Sequence, residues 1–178
     1  PQETGTPNMR LVVPSLRFPT WNFCPNPRCR RLQDSSLSFR GRDTCRYCAQ
    51  RTSSRPRQVS QVPFVAICDY GHMQDFPWRE WVHESMAPEC SLPIKLYSTG
   101  GSSLGAQQIE CDCGTKRSLS GITEYSPNRD STFLSDALDA SGQVYLCRGA
   151  MPWNGDLVGN GCGRKLSGSL RAASNLYY

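Results

Sequence analysis

Ten cysteines and two histidines stand in a chain of 178 residues. Thiolates and imidazoles are the usual donors of tetrahedral zinc, and thiols are also the halves of disulfides, so these twelve residues admit two chemistries. Their spacing decides between them. Cys24/Cys29, Cys45/Cys48 and Cys111/Cys113 come as close pairs on turn-forming residues, as metal ligands do, whereas disulfide frameworks scatter their half-cystines. Cys24, Cys29, Cys45 and Cys48 form a C-x4-C, x15, C-x2-C pattern. Each pair can be presented by a tight turn, and the separation suits an intervening hairpin. Four thiolates close the coordination sphere, leave no position for a substrate, and make the site structural.

The remaining donors are expected in two further sets. Cys111, Cys113, Cys147 and Cys162 make a second four-cysteine set, with Gly114, Gly161 and Gly163 beside the ligands to permit left-handed turns. Cys68, His72, His83 and Cys90 are then left over, in C-x3-H and H-x6-C spacing, and match a mixed tetrahedral site. The competing reading is a turn-capping His72 and a hydrogen-bonded His83. The expected cofactor is therefore Zn(2+), two per chain without this mixed set and three with it. Gly159-Asn-Gly-Cys-Gly163 superficially resembles a nucleotide loop but lacks the strand-turn-helix context and belongs to a turn near zinc.

No reaction is nominated. His83-Glu84 lacks the second His of H-E-x-x-H, and neither the zinc-deaminase signature nor a phosphate-cradling G-x-x-x-x-G-K-[ST] is present. With both histidines held by metal, a Ser/His or Cys/His pair has no free base. The chain is expected not to be an enzyme and to have no small-molecule substrate.

Charge is uneven. Residues 1–60 carry eleven Arg, no Lys and three carboxylates, while the remainder carries nine basic and twelve acidic residues. The formal net charge of +5 falls to about +1 once ten thiolates and three zinc ions are counted, so only the local arginine cluster argues for nucleic acid. Arg28, Arg30, Arg31, Arg42 and Arg46 are the candidate phosphate contacts, with Trp21, Phe23, Phe39 and Tyr47 as stacking faces. A solvated face offsetting the thiolate charge, or a contact with an acidic subunit, is the rival reading.

The elements that must position these residues are short. With 38% apolar residues, 15 Gly and 13 Pro, the core is small and interrupted, and metal must supply part of the stability. The pattern predicts a small α+β, metal-stabilised fold: an extended arm plus zinc ribbon over residues 1–60, then a second cysteine/histidine α+β unit over residues 61–178, with polar 52–60 as the boundary. Val62–Ile67, Ile94–Tyr97, Gln107–Cys111 and Gln143–Cys147 read as strands. Residues 75–86 read as a helix capped by Asp75, with Trp78, Trp81 and Val82 on one core face. Residues 131–140 read as another helix, stopped near Gly142. No run approaches the roughly 18 apolar residues of a membrane helix.

The order of motifs carries a resemblance. Trp21-Asn-Phe-Cys24, the Cys45/Cys48 pair, Val62-Pro-Phe-Val-Ala-Ile-Cys-Asp-Tyr-Gly-His72, Asp75-Phe-Pro-Trp78, Trp81-Val-His83, Cys90, Cys111-x-Cys-Gly114, Cys147-Arg-Gly, Pro152-Trp153, Cys162 and Leu170–Tyr177 together resemble the DrmB-like proteins of the DISARM bacterial antiphage systems, over residues 17–178. Helicase-associated cysteine-rich domains share such features. The resemblance implies a cytoplasmic zinc-binding protein, a DrmA-like helicase subunit as partner, and a complex that engages DNA, duplex or single-stranded. It also implies a zinc-rich portion of a longer protein, with Ser174–Tyr178 leading into a following segment.

Overall fold

The computed structural model describes residues 15–51, 57–101, 103–126, 131–139 and 143–173. The extended arm before residue 15, the boundary residues 52–56, the helix stop near Gly142 and the segment 174–178 lie outside the described residues.

In chain order the strands are β1 (Trp21–Phe23), β2 (Leu32–Asp34), β3 (Ser60–Gln61), β4 (Phe64–Ile67), β5 (Met73–Asp75), β6 (Ile94–Ser98), β7 (Gln107–Cys111), β8 (Lys116–Ser118) and β9 (Ser167–Leu170), and the helices are α1 (Arg46–Arg51), α2 (Trp78–His83) and α3 (Phe133–Leu138). They form three antiparallel three-stranded sheets, ordered β2-β1-β3, β5-β4-β9 and β6-β7-β8. The expected small α+β class holds. Strands β4, β6 and β7 fall where their β-branched and aromatic residues put them.

The α2 helix is too short to persist on propensity and nucleation; packing holds it. Trp78, Trp81 and Val82 are each no more than 1% exposed. The Trp81 indole N–H donates to the Ser118 carbonyl at 3.0 Å, and the Arg117 guanidinium lies 3.6 Å from the Trp81 ring centroid while donating to the Trp81 carbonyl. The helix is thus pinned to β8, which carries His83, its last residue, toward the β7–β8 turn. Asp75 does not cap it. Pro77 occupies the cap position, and Asp75 sits in β5, its carboxylate accepting from the Thr20 amide (2.9 Å) and hydroxyl (2.6 Å).

One further expectation is corrected, and one strand is added. Residues 143–147 form no strand but an isolated antiparallel bridge, Leu146 to Lys165, with Cys147 N–H donating to the Arg164 carbonyl at 2.7 Å; at Tyr145 side chains take the partner's place, the amide donating to the Asp139 carboxylate and the carbonyl accepting from the Ser135 hydroxyl. Conversely Ser167-Gly-Ser-Leu170, loop-like by composition, is a strand. A Cβ on Gly168 would lie 3.0 Å from Ile122 side-chain and backbone atoms, so glycine lets β9 approach Ile122 without displacing it.

The main core joins Leu32 of β2 to Phe64, Trp78, Trp81, Ile94, Ile109 and Leu166, and a smaller cluster gathers Cys24, Cys45 and Val59. The boundary drawn between residues 60 and 61 passes through β3, and Leu96 N–H donates to the Arg30 carbonyl at 3.0 Å.

Candidate metal centres

All ten cysteines are free thiols, and with the two histidines they gather into three sets of four donors. Within each set the donor atoms lie within 4.8 Å of one another. An ion with Zn–S of about 2.3 Å and Zn–N of about 2.0–2.1 Å in tetrahedral angles sets its ligands about 3.8 Å apart for S···S and about 3.6 Å for S···N. A disulfide would require about 2.05 Å.

Cys24, Cys29, Cys45 and Cys48 form the first set, as their spacing predicts. Sγ separations are 3.7 Å for Cys24–Cys48 and 3.7 Å for Cys29–Cys45. The residues between the pairs do not make a hairpin of their own. Instead β2 pairs backward with β1, so the Cys24–Cys29 loop is itself the hairpin turn, closed by Cys24 N–H to the Arg31 carbonyl and Cys29 N–H to the Asn26 carbonyl, both 2.9 Å. Cys45 and Cys48 sit at the start of α1, where the Cys48 amide points at the Cys45 sulfur (3.4 Å) and the Asn26 amide at the Cys48 sulfur (3.6 Å).

The other eight donors are brought together differently from the expected grouping. Cys68 and His72 join Cys147 and Cys162, while His83 and Cys90 join Cys111 and Cys113. Neither a second four-cysteine set nor a two-cysteine, two-histidine set is formed; both clusters have three sulfurs and one imidazole. In the second set Cys68 Sγ lies 3.6 Å from His72 Nδ1 and 3.9 Å from Cys162 Sγ. Cys68 and His72 flank the β4–β5 turn, whose Gly71 has φ +80°. Cys147 and Cys162 are tied by Cys162 N–H to the Cys147 carbonyl (3.0 Å), and the Gly149 amide points at the Cys147 sulfur (3.3 Å). A Cβ on Gly159 would stand 2.1 Å from the Gly149 carbonyl oxygen, which is the physical reason for glycine in that loop.

In the third set Cys90 and Cys111 sulfurs are 3.5 Å apart. Arg79 donates to the Leu92 carbonyl at 2.8 Å and holds the Cys90 loop. Nε2 of His83 is buried without a hydrogen-bond partner, the state expected of a nitrogen reserved for a cation. All three donor sets fit a four-coordinate metal ion. Without one, burial pushes the Cys24 thiol well above its ordinary range, Cys147 up to about 12 and Cys111 up to about 11, while the Thr115 hydroxyl and amide beside exposed Cys113 lower it to about 7. Metal binding therefore expels protons from the buried thiols.

The arginines divide. Arg28 and Arg42 are exposed, and Arg30 is half-buried with φ +52°. Arg46 is exposed but paired with Asp34 at 3.7 Å. Arg31 is withdrawn from solvent. It meets Asp112 at 2.6 Å and lies 4.9 Å from the Tyr47 ring centroid, covering that face. Arg31 is thus corrected from a phosphate contact to an internal one. Asp112, unremarked as a site in the sequence, also holds Lys95 at 3.2 Å and so ties the β1–β2 hairpin and β6 to the third set. Arg28, Arg30, Lys95, Tyr97 and Glu110 line an open groove of about 510 Å³. Lys95 and Tyr97 carried no signal in sequence, since a half-exposed strand face is ordinary. Among the described residues no helix is long and apolar enough to cross a membrane.

A short-element α+β chain built around three closed four-donor clusters defines a multi-site metal-binding module. The chain belongs to the family described as Domain of unknown function (DUF8724), whose sequence model matches residues 1–178. It is DrmB-like: over 173 residues it is 32% identical to the DISARM protein DrmB of Bacillus paralicheniformis, a match covering 93% of this chain and 27% of that protein. The chain thus spans about a quarter of that relative's length.

Proposed function

We propose that this chain is a non-catalytic, zinc-stabilised module of a cytoplasmic DISARM antiphage protein, which partners a DrmA-like helicase and contacts DNA. The observation that carries the non-catalytic reading is that every Cys and His lies in a set of four protein donors, which leaves no open coordination position and no free imidazole base. Zinc is the ion of choice because sulfur-rich tetrahedral sets favour it and it needs no redox partner. DNA contact is supported by Arg28 and Arg30 on one groove and by exposed Arg42, for which no ion pair is formed among the described residues. Arg31 and Arg46, used internally, favour the alternative of a protein-interaction domain without nucleic-acid contact.

Salt dependence separates these readings. Each phosphate contact contributes about 0.9 to the slope of log K against log salt on duplex and about 0.7 on single strands. Replacing Arg28 and Arg30 together by Gln leaves all twelve donors in place. It should weaken binding across all sequences and flatten the slope by about one unit per true contact. Binding equal to the parent at every salt concentration removes these residues as contacts and puts the interaction-domain reading first.

A further inference from the structure

A second surface does not belong to the Arg28/Arg30 groove or to any donor set. Arg17, Phe39, Arg40, Pro152, Trp153 and Asn154 line an open groove of about 1220 Å³, and no carboxylate among the described residues lines it. Of the four tryptophans, Trp78 and Trp81 are core and Trp21 packs against the core, but Trp153 is 56% exposed. Phe39 is 38% exposed in the same groove. These rings are held, not merely left over. Trp153 rides a 3-10 turn whose Pro152 is buried, whose Gly155 is left-handed (φ +80°), and whose ends pair through Met151 and Asp156. The Phe39 turn is fixed by Phe39 N–H to the Ser36 carbonyl (3.0 Å) and by Arg17, which donates to the Gly41 carbonyl at 2.9 Å and stands 5.6 Å from the Phe39 ring centroid. Arg40 is exposed and forms no ion pair among the described residues.

Preformed aromatic faces interleaved with unopposed guanidinium groups suit a strand whose bases are unpaired: bases stack on rings and phosphates meet the arginines. Paired bases in a duplex hide those faces. We infer that the Trp153/Phe39 groove is a stacking site for single-stranded nucleic acid, with Trp153 as the principal base platform and Arg40 as a phosphate contact. The inference rests on the nucleic-acid reading above and adds to it a strand preference and a site.

The test uses the zinc-loaded 178-residue chain, an oligo-dT of about 12 nucleotides and a duplex of the same length. Oligo-dT should quench tryptophan fluorescence, since the exposed indole is the one it reaches. Trp153→Ala should weaken oligo-dT binding by at least about fivefold, the loss expected of one base–aromatic stack, while duplex affinity moves less than about twofold. Trp153→Phe, which keeps a flat ring, should restore most of the affinity. Zinc per chain equal to the parent shows that each variant is folded. Oligo-dT binding by Trp153→Ala within about twofold of the parent overturns the inference, as does an equal loss on both probes. If the parent binds both probes and only the Arg28/Arg30 substitution weakens them, the DNA-contact reading stands and the stacking site falls. If the parent binds neither, both fall.

Discussion

The division of eight donors between two Cys3His sets can be tested by counting metal. The perturbation is a pair of double substitutions that share Cys162→Ser. In the fold, Cys162 and Cys68 sulfurs are 3.9 Å apart in one set, while Cys113 belongs with Cys90 and Cys111 in the other. A structural zinc site of this kind binds with about 10–16 kcal/mol, and losing one of the three thiolates in a Cys3His set opens the sphere to water and chelator. Each single substitution, Cys68→Ser, Cys113→Ser or Cys162→Ser, should therefore reduce zinc from three to two per chain, one ion for each intact donor set. Cys68→Ser/Cys162→Ser should also retain two, because both changes fall on one ion. Cys113→Ser/Cys162→Ser should retain one. Native mass spectrometry after exposure to a moderate chelator reads these integers directly. The opposite pattern, one zinc in the first double variant and two in the second, would refute the geometry and restore the grouping suggested by chain order. Loss of all metal from any single substitution would refute the independence of the three sets.

Three further outcomes follow from local geometry. Burial opposes the charge on Asp112, but Arg31 and Lys95 more than offset it and hold its carboxyl below the usual range; its stabilising contribution is thus present above the unfolded carboxylate value of about 3.9 and lost as pH falls through its folded value. Asp112→Asn should cost about 1–3 kcal/mol at neutral pH, read by denaturant melts of the zinc-loaded chain, and an unchanged midpoint would remove the Arg31 tie. Gly159→Ala meets the Gly149 carbonyl at 2.1 Å and should destabilise by about 3 kcal/mol or more, with faster zinc loss from the Cys147/Cys162 set; parent-like zinc retention against chelator would count against that contact. Thr132, whose hydroxyl oxygen accepts from the Ser135 amide at 3.1 Å and which donates to the Leu166 carbonyl, caps α3, so Thr132→Ala should lower stability by about 1–2 kcal/mol, seen as a reduced thermal midpoint with zinc content unchanged.

What chain order alone determines here is local. The pairs Cys24/Cys29 and Cys45/Cys48, the turn glycines beside ligands, the Trp78/Trp81/Val82 face and the β-rich runs at 64–67, 94–98 and 107–111 each depend on residues within a few positions of one another, where spacing and propensity act directly. The grouping of the remaining donors depends on pairings at long range. Cys162 reaches Cys68 because Ser167–Leu170 pairs with Phe64–Ile67 across roughly a hundred residues, through a Gly-Ser segment that carries no strand signal and is admitted by its close fit against Ile122. His83 reaches Cys111 because the Trp81 indole and Arg117 bind α2 to β8. Arg31 likewise looked like its neighbours until the fold set Asp112 beside it. A tetrahedral site asks only for four donors at suitable distances, and any Cys or His can serve; chain spacing therefore defines the donor pairs, and only the packing of the sheets decides which pairs share an ion.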